Sequence, residues 1–479
     1  MHELVPMYID GVWRPAQSGN TAGLVNPASG EEFGRLSLAS APDFDDVLAA
    51  AQRGFARWRQ LPLAERCRLI SLVGELLRER VDAIARDLTL EQGKTFAQAR
   101  GEILGTADYF TGIAAVAMNL SGRAIAPGSD GLRRSVNYEP IGPVFAVSPW
   151  NLPAMMPGRK IANSLGAGCS VIVKPARETP LSAYAIAKCC EDAGIPPGVV
   201  NVICGDAAQI SAAMIGSRVI RKVSFTGSTQ VGRALAQIAG SSLKKVTLEL
   251  GGHAPVIVFD DADLEAVVEA TLTARFANAG QSCLAPTRFF IQQRLYAQFV
   301  QLFSARAGVL RVGDGMDPAT QMGPLTSARR LPLMDALVKD AVQKGARLTA
   351  GGKRLERAGF FFAPTVLAEV SEAAALMSQE PFGPVTAIVP FTDVDTVIER
   401  ANATAYGLAA YIFTRDPDLA MRVVSQVEAG MVGINSVWVA HPSLPFGGVK
   451  DSGFGREGAY DGLLDSMVTK SISAGRLGV

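Results

Sequence analysis

Apolar residues recur at spacings of three and four in two stretches of the N-terminal part of the chain. The first stretch runs from Phe44 to Trp58, and the second, longer one runs from Leu69 to Leu88 and stops near Gly93. This spacing places apolar side chains along one face of a helix, and a glycine commonly ends such a helix. We therefore predict helical structure over both stretches, with each apolar face packed in a core.

From residue 140 onward, short β-branched runs alternate with segments of helical length, such as Leu181–Ala193 and Val231–Ala239. The β-branched runs are Val144–Val147, Val171–Val173, Val199–Ile203, Val223–Phe225 and Val246–Leu250. Short apolar strands that alternate with helices are typical of a parallel sheet covered on both faces. In such a sheet the carboxyl ends of the strands meet at one edge, where ligands bind.

A second α/β unit is predicted after the glycine-rich stretch Leu250–Gly252. Its predicted strands and helices are Pro255–Phe259, Arg288–Ile291, Val385–Val389, Leu264–Phe276 and Leu295–Ala307. The segment Ser121–Tyr138 has scattered arginines and no helical period, which fits a hairpin arm. The predicted fold class is therefore α/β, with two doubly wound α/β domains and a β-hairpin arm.

The chain of 479 residues carries 46 Lys and Arg against 45 Asp and Glu, a formal charge of +1. This balance argues against nucleic acid or an anionic membrane as a partner, because both bind a basic excess or patch. The longest segments without charges, Pro140–Gly158 and Ala429–Val449, contain prolines that would interrupt a membrane-spanning helix. The N-terminal residues do not resemble a secretory signal. We expect a cytoplasmic protein.

Six cysteines without regular spacing and three distant histidines argue against a disulfide framework or a zinc site. Cys283 differs from the other cysteines because it ends a turn of small residues, Asn278–Cys283, in which apolar residues show neither helical nor strand spacing. Such a turn is suited to provide the partial exposure and the lowered pKa that a nucleophilic thiol needs. The alternative is a buried, inert thiol.

Two polar residues near predicted strand ends complete a catalytic set with Cys283. Glu249 interrupts an apolar strand, and partial burial there would raise the pKa of its carboxyl toward that of a general base. The alternative is a carboxylate that caps or forms an ion pair at the strand end. Asn151 follows another strand and could donate to an oxyanion, although asparagine is also a common turn residue.

Gly227 and Ser228 join a predicted strand to a predicted helix. The free N–H groups and the positive dipole end at a helix N-terminus can bind a phosphate. Lys174 lies at the end of a neighbouring strand, where it could bind ribose hydroxyls at the same sheet edge. The spacing is not GxGxxG. The alternative for Gly227 and Ser228 is a turn that ends the strand for steric reasons. The alternative for Lys174 is a lysine that is simply solvated.

Seven motifs occur in order along the chain. They are PWN at Pro149–Asn151, KP at Lys174, FTGS at Phe225–Ser228, LELGG at Leu248–Gly252, GQSC at Gly280–Cys283, PFGP at Pro381–Pro384 and PFGG at Pro445–Gly448. On these motifs the chain resembles the aldehyde dehydrogenase superfamily over nearly its whole length. It is most similar to the branch that contains the succinate-semialdehyde and α-ketoglutarate-semialdehyde dehydrogenases.

The resemblance implies oxidation of an aldehyde to a carboxylic acid through a cysteine thioester. Cys283 would attack the aldehyde carbon, and the Asn151 amide with the Cys283 backbone N–H would hold the oxyanion. Glu249 would activate the water that hydrolyses the thioester. The implied cofactor is NAD or NADP, and no metal is implied. The cofactor-binding residues implied by the motifs are Trp150, Lys174, Arg177, Gly227, Ser228, Leu250, Glu380 and Phe382.

Within that set, the resemblance assigns Lys174 to the adenosine ribose, Gly227 and Ser228 to the pyrophosphate, and Glu380 with Phe382 to the nicotinamide ribose. Many NAD-preferring members of the family carry a glutamate three positions after the KP lysine. Here that position is Arg177, followed by Glu178. Because an arginine there favours a phosphate, we predict that NADP is used well.

The family fold also implies a domain division. An NAD(P)-binding domain would cover residues 1–118 and 140–250, and a catalytic domain would cover 251–446. The oligomerisation arm and the C-terminal segment would cover 119–139 and 447–479. In the family the arm pairs with the C-terminal strand region of a partner subunit, so we expect a homodimer or a homotetramer.

The expected substrate is a small aldehyde with a distal carboxylate, such as succinate semialdehyde. Arg159 matches an arginine that the semialdehyde branch uses to hold that carboxylate. A second arginine of the succinate enzymes is Ala277 here, with Arg275 nearby, and His441 occupies a loop where those enzymes often place a serine. We expect Arg159 and His441 to contact the substrate. For Arg159 the alternative is a surface or interdomain salt bridge. For the substrate the alternatives are α-ketoglutarate semialdehyde and a neutral or aromatic aldehyde.

Overall fold

The computed structural model of the chain describes residues 2–126 and 128–475. The predicted segments 1–118, 119–139 and 447–479 therefore include a few residues, 1, 127 and 476–479, that lie outside the described part. The elements of the N-terminal part are β1 (His2–Val5), β2 (Met7–Ile9), β3 (Val12–Arg14), β4 (Thr21–Val25), β5 (Glu32–Ser37), α1 (Ala41–Trp58), α2 (Leu63–Glu79), α3 (Val81–Gln92) and α4 (Phe96–Met118).

The second predicted helical stretch is divided into two helices, α2 and α3. The division falls at Arg80, whose backbone (φ −98°, ψ 12°) leaves the helical region. Its guanidinium forms an ion pair with Asp192, 2.6 Å away. Gly93 ends α3 in the left-handed conformation (φ 96°), which glycine adopts without strain. The apolar pattern continues across the break because both helices contribute buried side chains to the same core.

The middle of the chain contains most of the predicted strands. Its elements are β6 (Arg123–Ile125), β7 (Arg133–Pro140), β8 (Val144–Val147), α5 (Met155–Gly166), β9 (Val171–Lys174), α6 (Leu181–Asp192), β10 (Val200–Val202), α7 (Ala207–Gly216), β11 (Lys222–Thr226), α8 (Thr229–Ser241) and β12 (Lys245–Glu249). Each predicted β-branched run contributes one of these strands.

The C-terminal half continues the alternation of strands and helices. Its elements are β13 (Ala254–Val258), α9 (Leu264–Phe276), β14 (Pro286–Gln292), α10 (Gln293–Gly308), α11 (Arg330–Gln343), β15 (Arg347–Ala350), β16 (Thr365–Ala368), α12 (Ala375–Ser378), β17 (Val385–Phe391), α13 (Val394–Asn402), β18 (Tyr406–Gly407), β19 (Ala409–Phe413), α14 (Pro417–Val424), β20 (Met431–Ile434), β21 (Val449–Lys450), β22 (Gly453–Phe454), α15 (Ala459–Asp465) and β23 (Met467–Ala474).

Two large sheets organise the described part of the chain. The first has the strand order β22-β12-β11-β8-β9-β10-β2-β3, and its five central strands are parallel. The second has the order β15-β16-β17-β14-β13-β19-β20 and is parallel except for β15. The predicted α/β class, with two doubly wound units, is confirmed, whereas the predicted domain boundaries stay a prediction.

Alternate side chains of the first sheet enter two separate cores. Val144, Ala146 and Val171 pack in one core with helices α2–α6. Phe145 and Ile172 point to the opposite face and pack with residues of α1, α7 and α8. Because successive side chains of a strand face opposite sides, two buried faces explain why these strands are apolar throughout.

The predicted hairpin arm is present, but its pairing corrects the expectation. Strands β6 and β7 pair antiparallel, and β7 pairs along its length with β23 of the same chain, from Arg133↔Ala474 to Pro140↔Met467. The arm therefore pairs with the C-terminal strand of its own chain, whereas the expectation placed that strand in a partner subunit. β23 is an edge strand of this three-stranded sheet, and most of its side chains are exposed.

Among residues 2–126 and 128–475, no helix is long and apolar enough to cross a membrane.

Candidate active site

The C-terminal edge of the first sheet brings together four of the predicted site positions. Strands β12, β11, β8 and β9 are adjacent in that order. Glu249 therefore lies at one end of this row, Gly227 follows β11, Asn151 follows β8, and Lys174 ends β9. The chain enters β8 before β9 and returns to β11 on its other side, so β8 and β11 flank the topological switch point where α/β sheets bind ligands.

Cys283 is presented by a turn with an uncommon backbone. After α9 ends, Asn278 and Ala279 adopt left-handed conformations (φ 53° and 51°), and Gly280 follows with φ 70°. Left-handed alanine is strained and persists only where the surroundings hold it. At Gly280 a Cβ would lie 2.5 Å from the Gly383 carbonyl oxygen, so this position excludes a side chain.

The turn leaves Cys283 half-buried in the wall of a cavity of about 540 Å³. The other five cysteines are buried, as predicted for packing thiols. The expected lowering of the Cys283 pKa is wrong. Burial raises the pKa of this thiol to about 12, nearby Glu380 and Glu249 add to the shift, and Arg159 opposes it. The isolated chain therefore holds Cys283 as a thiol.

Asn151 is tied to the turn that carries Cys283. Its side-chain Nδ2 donates a hydrogen bond to the Gln281 carbonyl oxygen at 3.0 Å. Its own carbonyl accepts from Lys94 Nζ at 3.0 Å and from Asn278 Nδ2 at 2.8 Å. The residue is buried. Asn151 is thus hydrogen-bonded to residues of two other loops, whereas an asparagine that only forms a turn needs no such distant contacts.

Glu249 is buried at the end of β12, and both of its carboxylate oxygens lack a hydrogen-bond partner within the described residues. Among the described residues this excludes the predicted alternative of a capping or ion-paired carboxylate. Burial raises the pKa of Glu249 well above its usual range, and the neighbouring Glu457 raises it further. Lys160 and Arg159 act in the opposite direction. The raised pKa makes the Glu249 carboxylate a stronger base than an exposed glutamate.

Glu380 lies beside the glycine pair that follows β12. The Gly252 N–H donates to Glu380 Oε1 at 3.1 Å, and burial raises the pKa of Glu380 to about 7. The ring of Phe382 packs edge-on against Trp150, with ring centroids 5.3 Å apart. The structure therefore brings Trp150, Glu380 and Phe382 to the same side of the site.

The predicted phosphate turn has the geometry of an open helix N-terminus. The Ser228 side chain accepts from the Val231 N–H at the start of α8, and the Gly227 N–H donates to the Glu249 carbonyl. A Cβ at Gly227 would lie 2.4 Å from the Phe225 ring. Leu250 is buried against α8 at Gly232. A pyrophosphate fits this exposed turn because no side chain at Gly227 covers it.

Lys174 and Arg177 lie in different surroundings. Lys174 is buried, with its Nζ 3.2 Å from the Pro175 carbonyl oxygen. Arg177 is exposed and has no hydrogen bond or ion pair in the part of the chain that the structure describes. The neighbouring Glu178 is engaged by Arg329 at 2.5 Å. Among the described residues, Arg177 therefore has neither an ion pair nor a hydrogen bond.

Arg159 lies on α5 in the wall of the same cavity as Cys283. Only 5% of it is exposed, and its guanidinium lies over the rings of Phe446 (4.1 Å) and Tyr109 (5.1 Å). No described residue accepts a hydrogen bond from its Nε or Nη1. The alternative of a surface or interdomain salt bridge is therefore excluded among the described residues.

The other two positions near the substrate differ from the expectation. Arg275 is buried and donates to the carbonyl oxygens of Gly383 and Val385, so it does not replace the arginine missing at Ala277. His441 does not line the cavity: it is exposed, and its Nδ1 lies 2.6 Å from Ser443 Oγ. The predicted contact of His441 with a substrate has no support in this geometry.

Apolar side chains form most of the remaining cavity wall. They are Leu152, Met155, Met156, Leu284, Tyr411, Val437, Trp438, Val439 and Phe446. Trp438 is 82% exposed, and a ring this exposed beside a cavity is available to a ligand. The cavity thus combines a thiol, one unpaired guanidinium and an apolar surface.

Sequence reasoning missed several charged residues around the site. Lys94 and Glu102 form a buried ion pair in the cavity wall, and Lys160 and Glu457 form another beside Glu249. One signal was available for Glu102. It occupies the buried stripe of α4 with Ala99, Ile103 and Thr106, where a carboxylate needs a partner.

The chain matches the family model described as "Aldehyde dehydrogenase family" over residues 13–472. A 4-(hydroxymethyl)benzenesulfonate dehydrogenase of Comamonas testosteroni is 45% identical over 464 residues, covering 97% of this chain and 97% of that protein. An NADP(+) succinate-semialdehyde dehydrogenase of Escherichia coli (strain K12) is 40% identical over 467 residues, covering 98% and 97%. The crystal structure of a succinate-semialdehyde dehydrogenase from Burkholderia pseudomallei matches with a TM-score of 0.96 at 39% identity, covering 99% of this chain and 98% of that one. The resemblance found in the sequence motifs is confirmed.

Proposed function

Because the chain belongs to the aldehyde dehydrogenase family, we propose that it oxidises an aldehyde that carries a distal anionic group, with succinate semialdehyde as the first candidate. The observation that carries this proposal is Arg159, a buried guanidinium with two nitrogens that lack a partner among the described residues. A buried charge without a partner is unfavourable. An anionic substrate group would supply the missing partner.

The reaction begins when the Cys283 thiol loses its proton to Glu249 or to solvent, and the thiolate then attacks the aldehyde carbon to form a thiohemiacetal. The Cys283 backbone N–H and the Asn151 side chain, whose second amide hydrogen is not used by Gln281, hold the oxyanion. The Arg159 charge opposes the rise in the Cys283 pKa and so favours the thiolate. The chemistry that a bound NAD or NADP supplies is acceptance of a hydride from the thiohemiacetal carbon.

Glu249 acts in the second half of the reaction. Its raised pKa makes the carboxylate a stronger base than an exposed glutamate, so it can take a proton from the water that attacks the Cys283 thioester. Lys160 is close enough to lower that pKa, and its own partner is Glu457 at 2.6 Å. Lys160 thus partly offsets the rise in the Glu249 pKa that burial and Glu457 cause.

For the cofactor, the residues present fit a dinucleotide. The uncovered turn at Gly227 and Ser228 would hold the pyrophosphate, Lys174 the adenosine ribose, and Glu380 with Phe382 the nicotinamide ribose. We propose that NADP is used well, since Arg177 is an unpaired cation while Glu178 is neutralised by Arg329.

The cofactor proposal is tested by kcat/KM for NAD and NADP in the wild-type enzyme and in Arg177→Glu. The variant should lose NADP efficiency and keep NAD efficiency. A strong NAD preference of the wild-type enzyme contradicts the proposal.

A second candidate is an aromatic aldehyde that carries a sulfonate or carboxylate. It is favoured by Ala277, which leaves space where succinate enzymes carry an arginine, and by the apolar wall that includes Trp438 and Tyr411. The relative from Comamonas testosteroni is named for a benzenesulfonate. An aromatic ring would pack on these side chains while its anionic group meets Arg159.

A panel of four aldehydes tests the proposed function: succinate semialdehyde, butanal, 4-sulfobenzaldehyde and benzaldehyde. The proposal expects each anionic aldehyde to have a kcat/KM at least about tenfold above its neutral counterpart, because charge-assisted hydrogen bonds stabilise by about 1.5–3 kcal/mol. The two anionic aldehydes compared with each other separate the two candidates. Equal efficiency for charged and neutral aldehydes contradicts both.

We also propose that the enzyme is a homodimer or a homotetramer. The support is the outer edge of β23, where Val468 and Ile472 are exposed next to unpaired strand hydrogen-bonding groups. Light scattering after size-exclusion chromatography tests this, and a monomer at micromolar concentration contradicts it.

A further inference from the structure

The ion pair Lys94–Glu102 lies in the wall of the cavity that contains Cys283. The Lys94 Nζ and Glu102 Oε2 atoms are 2.5 Å apart, and the two side chains are only 2% and 4% exposed. Lys94 follows the end of α3, and Glu102 belongs to α4. A buried pair of charges needs further hydrogen bonds to be tolerated, so its other contacts indicate what it does.

Within the described residues, every further hydrogen bond of these two side chains goes to the segment Asn151–Met155, which joins β8 to the first residue of α5. Lys94 Nζ donates to the Asn151 carbonyl oxygen at 3.0 Å. Glu102 Oε1 accepts from the backbone N–H groups of Ala154 at 2.9 Å and Met155 at 3.0 Å. N–H groups at the start of a helix have no partner within the helix, and Glu102 supplies one for these two. A carboxylate there also interacts favourably with the helix dipole. The pair thus fixes both ends of the short segment that begins with Asn151.

Asn278 connects the same carbonyl to the turn that presents Cys283. Its Nδ2 donates to the carbonyl oxygens of Asn151 (2.8 Å) and Gln281 (3.1 Å). Its Oδ1 accepts from Gln92 at 2.7 Å, and Gln92 also accepts from the Lys94 backbone N–H. The Asn151 carbonyl therefore has two donors, one from Lys94 and one from the nucleophile turn.

We propose that Lys94 is a positioning residue for catalysis: with Glu102 and Asn278 it fixes the Asn151 backbone so that the Asn151 side-chain amide faces the oxyanion formed at Cys283. The inference rests on the proposed role of Asn151 as oxyanion donor. A purely structural pair would stabilise the fold without affecting the step that Asn151 assists. An oxyanion donor that is displaced by about 1 Å loses about 100-fold in rate, so the two roles differ measurably.

The test variant is Lys94→Met combined with Glu102→Gln, because removing one partner alone would leave a buried charge unpaired. The expected result is a kcat about 10- to 100-fold lower, with the aldehyde KM changed less than about threefold. The rate of Cys283 alkylation by iodoacetamide should stay within about twofold, since the nucleophile itself is not changed. The matched control is Lys222→Met with Asp465→Asn. It removes a buried lysine pair (3.0 Å) at the opposite end of β11, and it should lower thermal stability and leave kcat unchanged.

The decisive comparison uses the Asn151→Ala background. If Lys94 acts through Asn151, the pair variant lowers kcat there by less than about twofold, because the group it positions is already absent. An equal fractional loss in both backgrounds, or no loss in the wild-type background, overturns the inference.

Asn278→Gly keeps the left-handed backbone and removes the second donor to the same carbonyl, so it should show the same dependence on Asn151. It keeps the test decisive if the pair variant does not fold. If Asn151→Ala itself has wild-type kcat, the proposed function of Asn151 fails. If Asn151→Ala lowers kcat and the pair variant lowers it by the same further factor in that background, only the positioning inference fails.

Discussion

Gly280→Ala tests whether the backbone of the nucleophile turn is as constrained as its geometry indicates. Gly280 has φ 70°, and an added Cβ would lie 2.5 Å from the Gly383 carbonyl oxygen and 2.9 Å from two nitrogens of Arg275. Of these, the carbonyl oxygen is backbone, and Arg275 is held by hydrogen bonds to Gly383, Val385 and Thr386. The neighbours therefore cannot move away easily.

Two costs add for this substitution. A left-handed conformation costs an alanine roughly 1–2 kcal/mol, and overpacking of a tightly filled site typically costs about 1–3 kcal/mol. We expect a destabilisation of about 2–5 kcal/mol. Because the turn also sets the position of Cys283, the variant should lose kcat by at least about tenfold in its folded fraction.

Thermal unfolding and steady-state kinetics at equal protein concentration measure both effects. The matched control is Gly240→Ala in α8, where an added Cβ meets no described atom within 4 Å. Alanine is the better helix residue there, so the control should be as stable as wild type or more stable. A Gly280→Ala enzyme with wild-type stability and kcat would refute the constraint.

Two further predictions concern the titratable groups. Because the pKa of Cys283 is raised to about 12 in the ligand-free chain, its alkylation rate should keep rising about tenfold per pH unit from pH 7 to 9; a plateau below pH 9 contradicts this. In Glu249→Gln we expect a first turnover that forms reduced cofactor, followed by a steady-state rate at least about 100-fold lower, with a thioester on Cys283 visible by intact-protein mass spectrometry. Absence of both the first turnover and the adduct contradicts the role of Glu249 in hydrolysis.

Local patterns predicted the elements of the fold well. The helix Leu264–Phe276 was predicted with the bounds that the structure has, and each β-branched run before residue 250 contributes a strand. These predictions succeed because a helix or strand that packs one face in a core needs apolar residues at its own spacing, and that spacing can be read from the local sequence. The break at Arg80 was not visible, since the apolar pattern of α2 continues into α3.

The parts of the site that depend on distant contacts could not be predicted. The proposed role of the Lys94–Glu102 pair depends on a hydrogen bond to Asn151, which is far away in sequence. The raised pKa of Cys283 results from burial and from Glu380 and Glu249, which converge on it from other loops. His441 lies in the predicted loop, yet its neighbour Ala440 lines the cavity in its place.

The measurement that tests the central claim most directly is kcat/KM for an anionic aldehyde and its neutral counterpart, in the wild-type enzyme and in Arg159→Met. Methionine keeps apolar contact with Phe446 and Tyr109 and removes the charge. We expect kcat/KM to fall about 10- to 100-fold more for succinate semialdehyde or 4-sulfobenzaldehyde than for butanal or benzaldehyde, since Arg159 also favours the Cys283 thiolate for every aldehyde. An equal loss for the anionic and the neutral aldehydes would contradict it.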